Sequence, residues 1–391
     1  MTATGSSRRS FLRGAGLIIA GTTAAITGMP RVADAASTMW PSGSPTPPLS
    51  AVPQSAGRIA FNASGVAAAG SQTALEFLDG RTGAVSQPLV RARVRLIGDM
   101  HFGFASRDRL AAVADDVATM GAPDAFLTTG DETHFGLQEE YDLAEAWFSR
   151  FKVPMHTVTG NHTFWNASSR TMEDAADLYR RFVIRWGQPM PFAWEMAGVS
   201  FVGVGPTTMG VTPQEASLSV AEIAHMGKVL SYEPTKPTVL VMHSPLQHTV
   251  LGDDLGATCS YTSEDTGFYQ RNTAAILDVL GANPQVAMVI SGHTHSPLHA
   301  TGLYKMVSVG DRMVPHFNAM AVPFLRRITA TGPTGPQSLV TWELGIGDRS
   351  IVLVGRDHLL RRDVARVVVP LPALQAAPSP VSPNLTLPPI V

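Results

Sequence analysis

The stretch Val286-Ala-Met-Val-Ile-Ser-Gly-His-Thr-His-Ser296 places two histidines, one residue apart, directly after a short apolar run. The run is uninterrupted and rich in β-branched residues, which is typical of a strand buried on both faces of an α/β sheet. His293 and His295 follow its carboxyl end, where open α/β sheets place their ligand sites. If the backbone stays extended, both imidazoles project to the same side. The stretch therefore predicts an α/β fold with a candidate metal site at a sheet edge.

Short apolar runs and amphipathic segments alternate through the chain before this stretch. The runs that we expect to form strands are 94–97, 125–128, 155–158, 199–204 and 238–242. The segments with helical periodicity are 107–120, 139–151, 172–187, 218–231 and 271–280. This alternation predicts a mainly parallel sheet with helical crossovers. After His295 only strands follow, at 306–309, 339–345 and 350–354, and we expect a second sheet, packed on the first, to contain them.

Polar side chains follow five of the predicted strands. They are Asp99 with His101, then Asp131, then Asn161 with His162, then His243, and finally His293 with His295. Glycine stands immediately before Asp99, Asp131, Asn161 and His293, which permits a sharp exit from the strand and a close backbone approach. Because the carboxyl ends of parallel strands meet at one edge, we expect these side chains to gather there.

The donor types favour borderline first-row metal ions. Imidazole nitrogens with carboxylate and amide oxygens, and no thiolate, suit Mn, Fe, Zn or Co. These donors are too many for one tetrahedral ion, which favours two ions that share one carboxylate. Taken singly, each residue has an ordinary alternative: an aspartate can cap a helix, Asn161 can occupy a turn, and His243 can be a hydrogen-bonded core histidine. Their joint order favours the metal site.

In this order the motifs resemble those of the calcineurin-like metallophosphoesterase superfamily, which are D-x-H, G-D, G-N-H, H and G-H-x-H. The resemblance covers residues 93–320 and extends to the strands up to residue 365. It implies a four-layer αββα sandwich, in which helices flank two mixed β-sheets and the metal site lies at the C-terminal ends of the strands.

The same resemblance implies a role for each motif residue. Asp131 would bridge two metal ions; Asp99, His101 and His295 would complete the first site, and Asn161, His243 and His293 the second. His162 would face the substrate phosphate, where it would help to protonate the leaving oxygen or stabilise charge on phosphorus. The reaction implied is in-line attack on a phosphate ester by a hydroxide that bridges the two ions.

Differences from known subfamilies narrow the expected activity. Gly130-Asp-Glu-Thr-His134 and Gly160-Asn-His-Thr163 lack the Arg and Glu of the protein Ser/Thr phosphatases. His134 stands where purple acid phosphatases carry Tyr, so we expect no tyrosinate–iron colour. The arrangement is nearer to the cyclic-nucleotide and glycerophosphodiester phosphodiesterases of the family. We expect hydrolysis of small phosphate mono- or diesters; the alternatives are a metal-binding envelope protein that turns over weakly or not at all, and a nuclease.

Residues 1–35 have the features of an export signal. Arg8-Arg9 precedes an apolar stretch without charge, and Ala33-Asp-Ala35 is a small-x-small cleavage site. The paired arginines resemble a twin-arginine signal, which predicts export of the folded protein by that machinery to the periplasm, the envelope or the exterior. The apolar stretch is too short and too rich in Gly and Thr to span a bilayer, so we expect no stable membrane span in the mature form.

Composition indicates how the chain is divided into segments and which partners it disfavours. We expect a Pro/Ser-rich linker at 36–57, a small β segment at 58–92, the metallophosphoesterase domain at 93–370 and a disordered Pro-rich tail at 371–391. Without residues 1–35 the chain has 29 − 4 = 25 basic and 31 − 1 = 30 acidic side chains, which disfavours long nucleic acid as a partner. Cys259 is the single cysteine, so no intrachain disulfide forms.

The segment 252–267 is polar, rich in glycine and long for a connection inside a compact domain. We interpret it as a lid over the metal site that selects the substrate, with a mobile surface loop as the alternative.

Overall fold

The computed structural model of the chain describes residues 75–78, 90–165, 172–210, 212, 214–250, 263, 267–296, 298, 302–322 and 339–372. The predicted signal, the linker, the tail beyond residue 372, most of the 58–92 segment and most of the 252–267 loop lie outside the described residues. None of the described helices has the length and apolar character needed to cross a membrane.

The first sheet is built from both ends of the described chain. Its strands are β1 (Glu76–Phe77), β2 (Ala92–Ile97), β3 (Ala125–Thr128), β4 (Met155–His156), β11 (Val340–Ile346), β12 (Ser350–Asp357) and β13 (Arg362–Pro370). Their spatial order is β1-β13-β12-β11-β2-β3-β4. Strands β2, β3 and β4 pair in parallel, and β11 joins them antiparallel through β2.

The second sheet contains the strands from the middle of the chain. They are β5 (Phe192–Met196), β6 (Val199–Val204), β7 (Thr238–Met242), β8 (Val286–Ser291), β9 (Tyr304–Val309) and β10 (Arg312–Asn318). In the order β5-β6-β7-β8-β10-β9, the four inner strands run parallel and the two edge strands run antiparallel. Both sheets are therefore mixed.

Five helices complete the described architecture. They are α1 (Arg107–Thr119), α2 (Gln138–Ser149), α3 (Met172–Trp186), α4 (Val220–Ser231) and α5 (Thr273–Gly281). Apolar residues of α1 and α2 pack on the outer face of the first sheet, and those of α4 and α5 pack on the second. The inner faces of the two sheets share the largest apolar cluster, which includes Leu96, Ile290 and Trp342. The predicted αββα sandwich is confirmed.

The ends of α4 illustrate how local sequence determines an element boundary. Ser219 accepts a hydrogen bond from the backbone N–H of Glu222, and the Glu222 carboxylate accepts one from the backbone N–H of Ser219. This capping box satisfies two N–H groups that the first helical turn leaves without partners. The helix therefore begins at Val220, two residues later than the periodicity alone indicated.

The division of strands between the sheets differs from the sequence-based expectation. We expected the strands from 94 to 290 in one sheet and the later strands in the second. Instead the chain changes sheets after β4, and β11–β13 return to the first sheet while β9 and β10 complete the second. The alternation of strands and helices specifies element type, but pairing depends on which apolar faces meet after folding.

Candidate metal centre

All eight residues of the predicted site come together at the carboxyl ends of strands from both sheets. The first sheet supplies Asp99 and His101 after β2, Asp131 after β3, and Asn161 and His162 after β4; the second supplies His243 after β7, and His293 and His295 after β8. None of the eight is more than 6% exposed. The helices that follow Asp99 and Asp131 have Ser106 and Leu137 at their N-cap positions, so neither aspartate caps the next helix.

The first group of potential ligands consists of Asp99, His101 and His295, whose donor atoms lie within 4.8 Å of one another. Nε2 of His101 lies 3.0 Å from Nε2 of His295, and Oδ1 of Asp99 lies 3.5 Å from the latter atom. Burial and the neighbouring imidazoles of His162 and His295 lower the pKa of His101 well below its ordinary value. His101 is therefore a neutral imidazole, the form that coordinates metal ions.

The second group consists of Asp131, His243 and His293, again within 4.8 Å, and Asn161 adjoins it. Nδ1 of His243 donates to the backbone carbonyl of Thr129 at 2.7 Å. Nε2 of His243 therefore faces the site, where it lies 3.1 Å from Oδ2 of Asp131 and 3.1 Å from Oδ1 of Asn161. Three potential donor atoms thus converge on one buried point.

The convergence of these donor atoms indicates a site for a cation, either a proton or a metal ion. Burial by itself lowers the pKa of His243, but the adjacent Asp131 carboxylate outweighs it and raises this pKa to about 9. Burial also raises the pKa of Asp131. Both directions mean that the metal-free group holds a proton between these side chains, because buried lone pairs that face one another repel. A divalent ion satisfies the same requirement, so the donor set fits metal binding.

The backbone at the site adopts conformations that most residues avoid. Asp99, His101, Asp131, His293 and His295 have φ between +45° and +72°, in the left-handed region. Such conformations are strained for residues with a β-carbon and concentrate at functional sites. The predicted close approach of glycine is confirmed at two positions, because a β-carbon would collide with the Asp131 carboxylate at Gly160 and with the Asp99 carboxylate at Gly292.

His162 lies beside the first group, in a 3₁₀ turn at Asn161–Phe164. Its Nδ1 donates to the backbone carbonyl of His134 at 2.6 Å, and the indole of Trp165 stacks on its ring at a centroid distance of 4.5 Å. Burial, together with the imidazole of His134, lowers the pKa of His162 well below its ordinary value. The hydrogen bond assigns the accepting nitrogen to Nε2, so the ring has a defined orientation.

Two contacts of the site were not anticipated from the sequence. Asn318, at the end of β10, donates from Nδ2 to the carbonyl of Gly292 and accepts from the hydroxyl of Thr294. These two hydrogen bonds hold the loop that carries His293 and His295. His134 places Nδ1 3.3 Å from Nδ1 of His101. Asn318 has no spacing that marks it, and His134 stood out only by its position in place of the purple acid phosphatase Tyr; the contacts of both with the site are tertiary.

Buried imidazole and carboxylate groups at the carboxyl ends of strands are typical of a metal-binding centre. Residues 92–297 match the family model for the calcineurin-like phosphoesterase, which is more than half of the 391-residue chain. The chain therefore belongs to the calcineurin-like phosphoesterase family, a class of metal-binding hydrolases of phosphate esters. The superfamily suggested by the motifs is confirmed.

The solved structures to which the chain is similar are distant in sequence. A dimetal phosphatase from Danio rerio is 15% identical, with a TM-score of 0.47 over 73% of this chain and 100% of its own. GAP50, the anchor in the inner membrane complex of Plasmodium, is 11% identical, with a TM-score of 0.46 over 73% of this chain and 91% of its own. Zinc-complexed Vps29 from Entamoeba histolytica is 14% identical, with a TM-score of 0.34 over 71% and 98%. No curated protein sequence matches the chain significantly.

Proposed function

We propose that this protein is an exported phosphoesterase with two metal ions that hydrolyses small phosphate mono- or diesters. The observation that carries the proposal is the pair of adjacent buried donor groups, Asp99–His101–His295 and Asp131–His243–His293, with His162 beside the first. In the proposed centre Asn161 completes the second group and Asp131 is shared between the ions. Two bound ions would activate water and neutralise charge on the phosphoryl oxygens.

His162 would manage the proton of the leaving group. Hydrolysis joins a water oxygen to phosphorus and breaks the P–O bond of the ester, so the departing oxygen must gain a proton. Because Nδ1 of His162 is engaged with the carbonyl of His134, Nε2 is the atom available for that transfer. Nε2 carries the lone pair, so it would take up a proton released by the attacking water and pass that proton to the leaving oxygen.

The composition of the chain supports the proposed substrate class and location. The segment that follows residues 1–35 has a net charge of 25 − 30 = −5 and no basic block, which favours small phosphoesters over long nucleic acid. The Arg8-Arg9 pair and the Ala33-Asp-Ala35 cleavage site favour twin-arginine export of the folded, metal-loaded protein.

The test uses purified protein reconstituted with Mn²⁺. We expect hydrolysis of bis-p-nitrophenyl phosphate or p-nitrophenyl phosphate that EDTA abolishes, and the His162→Ala variant should lose about 100-fold or more in kcat while it retains its metal. His225→Ala, on the half-exposed face of α4, is the matched control and should retain full turnover.

Three results would contradict parts of the proposal. Stoichiometric metal with no turnover over a broad panel of phosphoesters would favour a binding protein instead. Preference for single-stranded DNA over nucleotides, with strong salt dependence, would favour a nuclease. Full activity in His162→Ala would remove His162 from the reaction.

A further inference from the structure

The two ring nitrogens of His101 face different partners. Nε2 points to the first donor group, 3.0 Å from Nε2 of His295, whereas Nδ1 lies 3.3 Å from Nδ1 of His134. If Nε2 of His101 coordinates a metal ion, its proton must reside on Nδ1, because a neutral imidazole carries one N–H. That N–H then donates to the lone pair of Nδ1 on His134.

The ring of His134 is held in place for this contact. It stacks on Phe104 at a centroid distance of 4.4 Å and an interplanar angle of 19°, and it meets Phe135 edge to face. Its backbone N–H donates to the carbonyl of Phe102 at 3.1 Å. The ring is half-buried, so part of its surroundings already excludes water.

We propose that His134 is a positioning residue that accepts the Nδ1–H of His101 and thereby aims Nε2 at the metal ion. Partners of this kind determine the tautomer and orientation of a ligating histidine and raise its basicity, and their removal typically weakens metal binding by about 10- to 100-fold. The inference rests on the proposed metal centre. It adds an outer partner that lies 33 residues away from His101 in the sequence.

A third metal ion held by His101, His134 and His162 is the competing explanation, because their donor atoms also lie within 4.8 Å of one another. That ion would require Nδ1 of His101 while Nε2 serves the first group, and a histidine that uses both nitrogens must lose its last N–H. A hydrogen bond between His101 and His134 needs no such deprotonation, so the positioning role is favoured.

Two substitutions of nearly equal shape separate hydrogen bonding from packing. In His134→Asn, Oδ1 occupies the position of Nδ1 and still accepts a hydrogen bond, whereas His134→Leu has the same branching and no acceptor. The readout is the affinity for Zn²⁺ or Co²⁺, measured by competition with a chromogenic chelator, together with the number of ions bound. Both variants retain the backbone carbonyl that accepts from His162.

We expect His134→Leu to bind one of the two ions about 10- to 100-fold more weakly than the wild type, and His134→Asn to stay within about 3-fold of it. Equal affinity in the Leu variant, or the same loss in the Asn variant, would overturn the inference. If the Leu variant does not fold, His134→Phe replaces it, since a phenyl ring preserves the stacking on Phe104 but accepts no hydrogen bond. Absence of metal from the wild type would instead refute the proposed function, so the two failures differ.

Discussion

His316 is the buried group from which the sharpest prediction about stability follows. It lies on β10, is 2% exposed and is in register with Val289, a member of the apolar cluster under α4 and α5. Nε2 of His316 has no hydrogen-bond partner among the described residues. Burial lowers the pKa of His316 from 6.5 to about 3. We expect His316→Leu to make the fold less sensitive to acid.

The size of the effect follows from the difference in pKa between the folded and unfolded chains. Below pH 6.5, the ordinary pKa of histidine, His316 binds a proton in the unfolded chain, whereas in the folded chain it stays neutral until the pH approaches 3. The contribution of neutral His316 to the unfolding free energy is therefore complete above pH 6.5 and is lost as the pH falls. At about 1.4 kcal/mol per pKa unit, the wild type should lose roughly 3 kcal/mol of unfolding free energy through this group between about pH 7.5 and about pH 4.5.

Urea denaturation of both proteins over this pH range, with metal removed, measures the difference. The other buried histidines contribute equally to both proteins, so the variant minus wild-type curve isolates His316. We expect the curve to rise by roughly 3 kcal/mol toward acid pH, with m-values unchanged. Parallel loss of stability in the two proteins would show that His316 is not buried as a neutral imidazole.

Three further predictions concern the metal centre and the core. Gly160→Ala should lower metal affinity more than 10-fold, because the added β-carbon meets the Asp131 carboxylate. The control is Gly281→Ala, which should leave metal content unchanged because a β-carbon there meets nothing within 4 Å. Saturating metal should raise the unfolding free energy by about 4 kcal/mol at 1,000 times its Kd, and a melting temperature that EDTA does not lower would contradict this. Asp116→Asn should cost about 3–5 kcal/mol, since it breaks buried charged hydrogen bonds to Arg356 and His358.

The local sequence predicted most of the secondary structure of the described chain. Strands β3, β6 and β7 begin and end where the apolar runs do, because a short β-branched run between turn residues has few alternatives. Strand β10 was missed, since Pro315 interrupts its pattern. Strand β13 was missed as well, because charged residues occupy its first half.

The candidate site was predictable in its members but not in its contacts. Carboxylates and imidazoles directly after strands mark a ligand site, and all eight meet in the fold. The partners of those side chains were not predictable. Thr129 meets His243 across 114 residues, and Asn318 meets Gly292 across 26, through contacts that no sequence period encodes.

The amino-acid sequence by itself determined which chemical groups this protein can offer and at which strand ends they stand, because strand formation and side-chain chemistry are local properties. Only the tertiary structure decided which sheet each strand joins, which nitrogen of each histidine faces the centre, and that His134 lies behind His101. The physical reason is that hydrogen-bond direction and lone-pair position depend on neighbours that folding brings together from distant parts of the chain.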